Sequence, residues 1–353
     1  MSSKIETTLN WGDQSFDTII DVRAPSEFYE DHIVGALNCP VLDDNQRVEI
    51  GLLYKKVSGF EAKVKGAIIT ARNIAFHIEN NISQYGGNWR PLIYCWRGGQ
   101  RSRAMALVLK EIGWRPILLS GGHKQYRKDI LKMIPELCLR VNIILISGQT
   151  GSAKTHILQG IKSAGGNILD LEALAKHRGS LLGAIPGETQ PSQKYFESCL
   201  VEKLRKFSQG AVVFIESESS KIGNLHIPIG LWRAMHKAPL IEVKVPSDIR
   251  ARFLQRYYSD LKINKDRFSA LFLIAKSRVS SKIISDWEKF LQKKAWQSLA
   301  LSLIKNYYDP AYLIHRTRQN RIKVKSLSSS NLTAPGIRLL ATKVLEIGER
   351  YFS

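Results

Sequence analysis

Leu92-Ile93-Tyr94-Cys95-Trp96-Arg97-Gly98-Gly99-Gln100-Arg101-Ser102 decides how this chain is read. Three apolar residues make a short strand. The segment beyond carries Ala104, Leu107, Val108 and Ile112 on one stripe at helical spacing, with Gly113 as the stop. A strand therefore delivers Cys95 into a tight loop, and a helix starts just past it. Gly98 and Gly99 let the loop curl until successive backbone N–H groups point inward, and the helix N-terminus adds positive potential. Such a nest lowers a thiol's pKa and holds an anion on its sulfur. A buried cysteine at a strand end is the plain alternative.

Working outward, Thr18-Ile19-Ile20-Asp21-Val22 and Pro116-Ile117-Leu118-Leu119 are further apolar strands, the second closed by Ser120-Gly121-Gly122. Helical patterns between them predict a parallel sheet. Tyr126 to Pro135 reads as a helix leading out of this first domain, assigned to residues 1–136. A second α/β domain, residues 137–248, opens on the continuous apolar run Val141 to Ile146, suited to a central strand. Asn167 to Leu169, Ala211 to Ile215 and Leu240 to Val245 are its other strands. Residues 249–353 read as a basic, helical region packing on the second domain, with helices over Ile249–Tyr258, Asp266–Lys276 and Ser281–Lys305. Ser326 to Asn331 is expected to be a flexible linker before a last helix, Gly336–Tyr351.

Directly after the Val141–Ile146 strand comes Gly148-Gln149-Thr150-Gly151-Ser152-Ala153-Lys154-Thr155. This is a Walker A (P-loop) pattern with one fault, Ala153 in place of the last glycine. Backbone N–H groups can still cradle phosphates, Lys154 can reach a terminal one, and Thr155 stands where a magnesium ligand would be. If position 153 needs a positive φ, alanine there costs on the order of 1 kcal/mol. Phe214-Ile215-Glu216-Ser217-Glu218-Ser219 is a weaker match to the strand end that holds a metal or its water, with Glu216 the better candidate.

Composition narrows the partners. The 353 residues carry a formal net charge of +21, unevenly: residues 1–140 have 19 Lys/Arg against 15 Asp/Glu, the remaining 213 have 33 against 16. A positive field of that size suits nucleic acid or another polyanion, the alternative being a solvated basic surface. Phe253, Tyr257, Tyr258, Phe268 and Trp287 are interleaved with these charges, as base-stacking or core residues. The four cysteines (Cys39, Cys95, Cys138, Cys199) form no C-x-x-C pair, against a zinc site or a disulfide framework. No apolar run is long enough to span a bilayer, and Met1-Ser-Ser-Lys-Ile-Glu has no apolar signal region, so a cytoplasmic protein is expected.

Asp21-Val22-Arg23-Ala24-Pro25-Ser26-Glu27-Phe28 with His32-Ile33-Val34-Gly35-Ala36-Leu37-Asn38-Cys39-Pro40, the Cys95 loop and the Gly121-Gly122 turn resembles the rhodanese domains. Asp31 departs from the glycine usual before His-Ile in that family, at a position read as peripheral to the loop. The loop is also Cys-x5-Arg-Ser, the arrangement of cysteine phosphatases, some of which share the rhodanese fold. On the loop alone, sulfur transfer and phosphate chemistry stand level.

The whole chain breaks that tie. A rhodanese-like domain with the Cys-x-Arg-Gly-Gly-Gln-Arg-Ser loop, fused to a P-loop NTPase-like α/β domain, resembles the bacterial tRNA 2-selenouridine synthases. The likeness continues through Asp170 to Ser180, Gln193 to Glu197, Glu216 to Pro228 and Asn306 to Pro310. It implies a transferase that geranylates the wobble 2-thiouridine of tRNA with geranyl diphosphate, then replaces the geranylated sulfur with selenium from selenophosphate. No tightly bound cofactor is implied, and magnesium is optional. Partners would be tRNA and an enzyme supplying selenophosphate, with no membrane. In this role Cys95 handles selenium, with Arg97 and Arg101 supplying charge for its anionic donor. Trp96, Gly98, Gly99, Gln100 and Ser102 complete the loop, framed by Asp21 and Arg23. Gly148 to Thr155 would take the diphosphate, and Glu216, His177, Arg178 and His226 are candidate contacts for prenyl diphosphate or tRNA. The competing function is a rhodanese-type sulfurtransferase or Cys-x5-Arg phosphatase with a regulatory P-loop domain.

Overall fold

The computed structural model describes residues 4–13, 15–180, 182–217, 219–257, 266–317 and 322–353. Contacts divide the chain into two compact units, Met1–Met133 with Ser192–Glu202, and Ile134–Pro191 with Lys203–Ser353. Residues 192–202, assigned from sequence to the P-loop domain, thus pack with the first unit.

In the first unit the order is β1 (Glu6–Thr8), β2 (Thr18–Asp21), α1 (Pro25–Glu30), β3 (Leu37–Asn38), α2 (Asp44–Lys56), α3 (Gly59–His77), β4 (Pro91–Tyr94), α4 (Gln100–Ile112), β5 (Ile117–Leu119) and α5 (Gly122–Leu139). The sheet order is β1-β5-β4-β2-β3, and every pairing is parallel. β1 and β3 were not anticipated. Both are edge strands of two or three residues, too short for a period-2 pattern to show.

β4 is buried throughout, and its C-terminal end lies where connections leave to opposite sides of the sheet, the place where open α/β sheets bind ligands. Helix α4 ends at Gly113 (φ 110°) as expected, but the face it buries is not the expected one. Met105, Ala106 and Leu109 are buried, while Leu107, Val108 and Ile112 are 41 %, 38 % and 52 % exposed. Two apolar stripes run along this helix, and periodicity cannot say which one meets the sheet.

The second unit continues with β6 (Asn142–Ser147), α6 (Lys154–Ser163), β7 (Asn167–Leu169), α7 (Leu171–Ala175), α8 (Gln193–Leu204, shared with the first unit), β8 (Val212–Glu216), β9 (Lys221–Ile222), β10 (Leu225–His226), α9 (Ile229–Lys237) and β11 (Leu240–Lys244). Next come α10 (Ser247–Tyr257), α11 (Asp266–Ala275), α12 (Ser281–Gln292), α13 (Trp296–Leu303), α14 (Asp309–Thr317), β12 (Lys323–Ser328) and α15 (Ala334–Phe352). The sheet is β12-β11-β6-β8-β7, parallel at each pairing.

Two readings of the C-terminal region need correcting. Ser326, Leu327 and Ser328 are not a linker but end β12, registered on Glu242, Val243 and Lys244 of β11. Hydroxyl-rich sequence can join a sheet at its edge, and Ser326 donates to the buried Glu242 carboxylate at 2.8 Å. The last helix of the tail packs into the core of the P-loop domain. Ile337, Leu340 and Val344 of α15 share one core with Ile157, Leu158 and Ile161 of α6 and with Ile144, Phe214 and Ile241 of the sheet. Finally, the helix expected over Ser281–Lys305 breaks at Lys294 (φ 53°), which lets α12 and α13 fold together around Trp287, Phe272 and Leu299.

The P-loop joins β6 to α6, and Ala153 is the N-cap of α6 with φ 60° and ψ 30°. An L-residue pays roughly 1–2 kcal/mol there. Glycine would remove that strain but favour the unfolded state by about 0.4–1 kcal/mol through added chain entropy. Ala153→Gly is therefore expected to stabilise by no more than about 1 kcal/mol, measured by chemical denaturation. A clear destabilisation would mean that the Ala153 methyl, part of the α6 core, is worth more than the strain.

Candidate active site

Cys95 follows the buried Tyr94 and is itself only 3 % exposed. Its Sγ accepts the Gly99 N–H at 3.2 Å and the Ser102 hydroxyl at 3.3 Å. Burial pushes the thiol up, but the hydroxyl and N–H of Ser102 and the N–H groups of Gly99 and Arg97 outweigh it and hold Cys95 below the ordinary range. Cys39 and Cys138 have no such donors, and burial takes each to about 12.

Glycine is required twice in this geometry. Gly98 has φ +68°, and a Cβ on it would sit 2.7 Å from the Leu119 carbonyl. Gly122 has φ +55°, and a Cβ there would collide with the Cys95 carbonyl oxygen. The turn at Gly121-Gly122 instead brings the His123 and Lys124 N–H groups to the carbonyls of Cys95 and Trp96, both at 2.9 Å.

The depressed thiol predicts a pH dependence. Alkylation of Cys95, followed by peptide mass mapping, reaches half its limiting rate at a lower pH than alkylation of a free thiol does. Ser102→Ala moves that midpoint up. The hydrogen-bonded thiolate contributes stability that is fully present above the unfolded thiol's pKa and is lost as pH falls through the lower folded value. A Cys95 midpoint at or above that of a free thiol would contradict the nest.

The charged residues around the loop divide differently than expected. Arg97, Gly99 and Gln100 are exposed on the loop, and Trp96 is 38 % exposed. Arg101 is held instead by Glu27, with Nη1 to Oε2 at 2.8 Å, and Arg47 Nε lies 3.2 Å from the same oxygen. Burial pulls the Glu27 carboxyl up, but Arg101 and then Arg47 outweigh it and keep it below the usual carboxylate range. Arg101 therefore offers an incoming anion a charge already shared with Glu27.

Asp21 and Arg23 do not frame the loop directly. Both are fully buried and paired bidentately with each other, and Arg23 also donates to the Asp31 carbonyl at 2.6 Å. Asp31 is not peripheral. It is 1 % exposed and accepts from His123 Nε2 at 3.0 Å and from Ser198 Oγ at 2.8 Å, with Arg127 Nε at 3.4 Å. Its His123 partner stacks on Trp96 (centroids 5.5 Å), so the departure from glycine supports the Cys95 loop from behind. Ser198 lies in the helical segment that packs with this unit. No local signal in the sequence links residues 167 positions apart.

In the second unit a cavity of about 300 Å³ opens over the P-loop. Thr150 to Thr155 line it together with Glu172, Arg178, Glu216, Ser219 and Tyr257. Lys154 Nζ rests on the Gly148 carbonyl at 3.3 Å, and Thr155 Oγ1 on Glu172 Oε2 at 3.4 Å. Glu216 ends β8 and is 4 % exposed, and Arg178 lies over the Tyr257 ring at 5.2 Å. Glu218 and Tyr258 lie outside the described residues.

Two expected contacts are elsewhere. His177 is 8 % exposed, and its Nδ1 accepts the Gly179 N–H at 3.1 Å, shaping the turn that presents Arg178. His226 sits exposed on the β9–β10 hairpin and does not line the cavity. Gly148 and Gln149 also lie off its wall, Gln149 bordering a separate space with Glu242 and Tyr312. Of the aromatics, Trp287 is wholly buried and Phe268 is 6 % exposed, as core. Phe253 and Tyr257 instead border the phosphate cavity.

Two features escaped the sequence. Arg250, 2 % exposed, donates to the Thr150 carbonyl of the P-loop at 3.1 Å, to the Val245 carbonyl at 3.0 Å and bidentately to Asp309 at 2.9 and 2.8 Å. Nothing marks it among 52 Lys and Arg. The second is an apolar cleft of about 80 Å³ walled by Leu254, Phe268, Trp296, Leu299 and Leu303. It shares Thr150, Ser180, Leu254 and Tyr308 with the P-loop cavity, so an apolar wall continues from that cavity.

A cysteine nest at the end of one parallel sheet and a P-loop at the end of another make this chain a rhodanese–P-loop fusion. Residues 4–129 match the family described as "Rhodanese-like domain", and residues 141–272 match "tRNA 2-selenouridine synthase AAA domain". A tRNA 2-selenouridine synthase of Bdellovibrio bacteriovorus is 33 % identical over 346 residues, covering 84 % of this chain and 88 % of the relative. One of Sulfurovum sp. is 30 % identical over 326 residues (83 % and 87 %), and one of Aeromonas salmonicida 34 % over 258 (72 % and 67 %). The chain belongs to the tRNA 2-selenouridine synthase family. No helix among the described residues is long and apolar enough to cross a membrane.

Proposed function

We propose that this chain converts 2-thiouridine in tRNA to 2-selenouridine, with geranyl diphosphate activating the sulfur and selenophosphate supplying the selenium. The observation that carries the reading is the apolar cleft contiguous with the P-loop cavity. A prenyl diphosphate needs both halves, a phosphate cradle for its head and an apolar wall for its chain.

In the first step the thiocarbonyl sulfur attacks C1 of the geranyl group, and the C1–O bond breaks with its electron pair leaving on diphosphate. Lys154 and the amides of Thr150 to Thr155 hold that developing charge. Arg178, on the same wall, adds a second cation. Thr155, Glu172 and Glu216 present one hydroxyl and two carboxylates to the cavity, oxygen donors of the kind magnesium takes along with water and diphosphate. When bound, the ion would neutralise charge on the diphosphate. The P-loop thus serves without nucleotide hydrolysis, which agrees with the tolerance for Ala153.

In the second step selenium displaces the geranylthiolate at C2. Water cleaves the Se–P bond, so the products are 2-selenouridine, geranylthiol and phosphate, with no net oxidation. Cys95 and its nest engage the selenium donor, and Arg97 adds charge at the loop's exposed edge. The excess of Lys and Arg beyond residue 140 supports tRNA as the polyanion.

Lys154→Ala is the test. It is expected to slow geranylation of 2-thiouridine tRNA by about 10²–10³-fold, read by nucleoside mass analysis. Selenation of tRNA geranylated beforehand should proceed at the wild-type rate. Normal geranylation with lost selenation would overturn the assignment of the P-loop to the prenyl donor.

A further inference from the structure

The first unit holds a second apolar recess that the prenyl-transfer step does not use. Helices α2, α3 and α4 leave between them an open groove of about 650 Å³, within the ~300–1,000 Å³ of pockets that bury small ligands. Leu42, Ile50, Tyr54, Ala62, Ala67 and Ala104 line it, together with Gly66. The trench exists because α3 and α4 present small residues where larger ones would fill the gap. Gly66 is close enough to Ile50 that its missing side chain would make only ordinary contact, 3.6 Å from Cγ2.

Two relations tie this groove to the selenium chemistry. Gln100 and Arg101 line it, and these are also the residues by which the Cys95 loop turns into α4. The groove therefore starts at the residues next to the nest, with Cys95 Sγ held by Gly99 and Ser102 on either side of them. Its remaining polar wall is Thr70 and Lys63, the latter an exposed cation beside a trench whose other residues are mostly apolar or small. An apolar trench with cations at its edge and a thiolate nest at its end fits a ligand that is anionic at one end and hydrocarbon at the other.

We infer that this groove seats the geranyl tail of the S-geranylated nucleoside while selenium is exchanged at C2. The inference rests on the proposed two-step reading and adds to it a second prenyl site, distinct from the cleft beside the P-loop. The occupant follows from the chemistry of the second step. The leaving group is a ten-carbon thiolate whose sulfur is bonded to the carbon under attack, so its chain must start next to the site the selenium donor occupies. Burying that chain removes apolar surface from water only when the prenylated substrate is bound. The groove then distinguishes the activated nucleoside from unmodified 2-thiouridine, which has no tail to seat. Lys63 and Arg101 lie where the flanking phosphates of the RNA would be attracted.

The test uses the full chain and two anticodon stem-loop RNAs, one with S-geranyl-2-thiouridine and one with S-methyl-2-thiouridine. Selenophosphate is the donor, and 2-selenouridine is quantified by nucleoside mass analysis. Ala67→Phe and Ala104→Leu fill the groove from α3 and α4 without touching the Cys95 nest. Each is expected to raise KM for the S-geranyl RNA tenfold or more while leaving KM for the S-methyl RNA within twofold. Geranylation of 2-thiouridine tRNA by the same variants should be unchanged. Equal losses on both RNAs, or no loss on either, would overturn the groove as the tail's seat while leaving the two-step reading intact. If the wild-type chain fails to selenate the S-geranyl RNA at all, the two-step reading falls and the groove assignment falls with it.

Discussion

Cys95→Ser is expected to abolish selenium incorporation, by about 10³-fold or more, while geranylation continues. Serine is close to isosteric, and its hydroxyl can still accept the Gly99 and Ser102 bonds, so the loop should keep its shape. What disappears is the ionisable sulfur. The donors that lower the thiol's pKa stabilise an anion, and a serine hydroxyl remains neutral at any working pH. Tm should therefore change little, and geranylated 2-thiouridine should accumulate in tRNA incubated with both donors. Nucleoside mass analysis reads the two products together. Wild-type 2-selenouridine from Cys95→Ser would remove Cys95 from the selenium step and leave the nest as an anion site only.

Asp309→Ala is the second large effect, and it acts on stability first. Arg250 is buried with its charge, and among the described residues Asp309 supplies the only carboxylate bonded to it. Removing one partner of a buried pair leaves an uncompensated charge, at a cost of about 3–5 kcal/mol. For a domain of this size that lowers Tm by roughly 6–20 °C. Replacing both members with apolar residues, Arg250→Met with Asp309→Leu, should recover most of that loss because no charge is then stranded.

Function should not recover with it. Arg250 also donates to the Thr150 carbonyl, so the double variant lacks the bond that fixes the P-loop backbone. It is expected to fold yet bind geranyl diphosphate about tenfold or more weakly, measured by calorimetry. Normal affinity in a stable double variant would make the Arg250–Asp309 pair purely architectural.

Much of both sites was legible because each is a local motif. The Cys95 loop and the P-loop are each a strand, a glycine-containing turn and a helix start, written contiguously. Even the cost at Ala153 could be anticipated, since the motif's last glycine marks a left-handed position, and φ there is 60°. The errors share a physical cause. Leu107, Val108 and Ile112 have the right period for a core stripe, but a helix with two apolar stripes is oriented by what it packs on. Asp31 looked peripheral by its place beside a loop, yet its three side-chain partners come from residues distant in the chain. Ser326 to Ser328 look like linker, and only the open edge of β11 makes them a strand.

The sequence by itself determined the two α/β sheets, the strand ends at which the candidate sites lie, and the thiol and lysine within them. Those features depend on neighbours a few residues apart, whose spacing sets backbone conformation directly. Tertiary structure alone decided what surrounds each motif. It holds Arg101 on Glu27, puts Asp31 and His123 behind the Cys95 loop and binds Arg250 to the P-loop carbonyl. It also extends an apolar wall from the phosphate cavity and opens a groove beside the nest. Each of these requires groups from separate elements to meet, and burial makes the meeting energetically decisive: a charge or an apolar face removed from water must find its partner wherever the fold provides one.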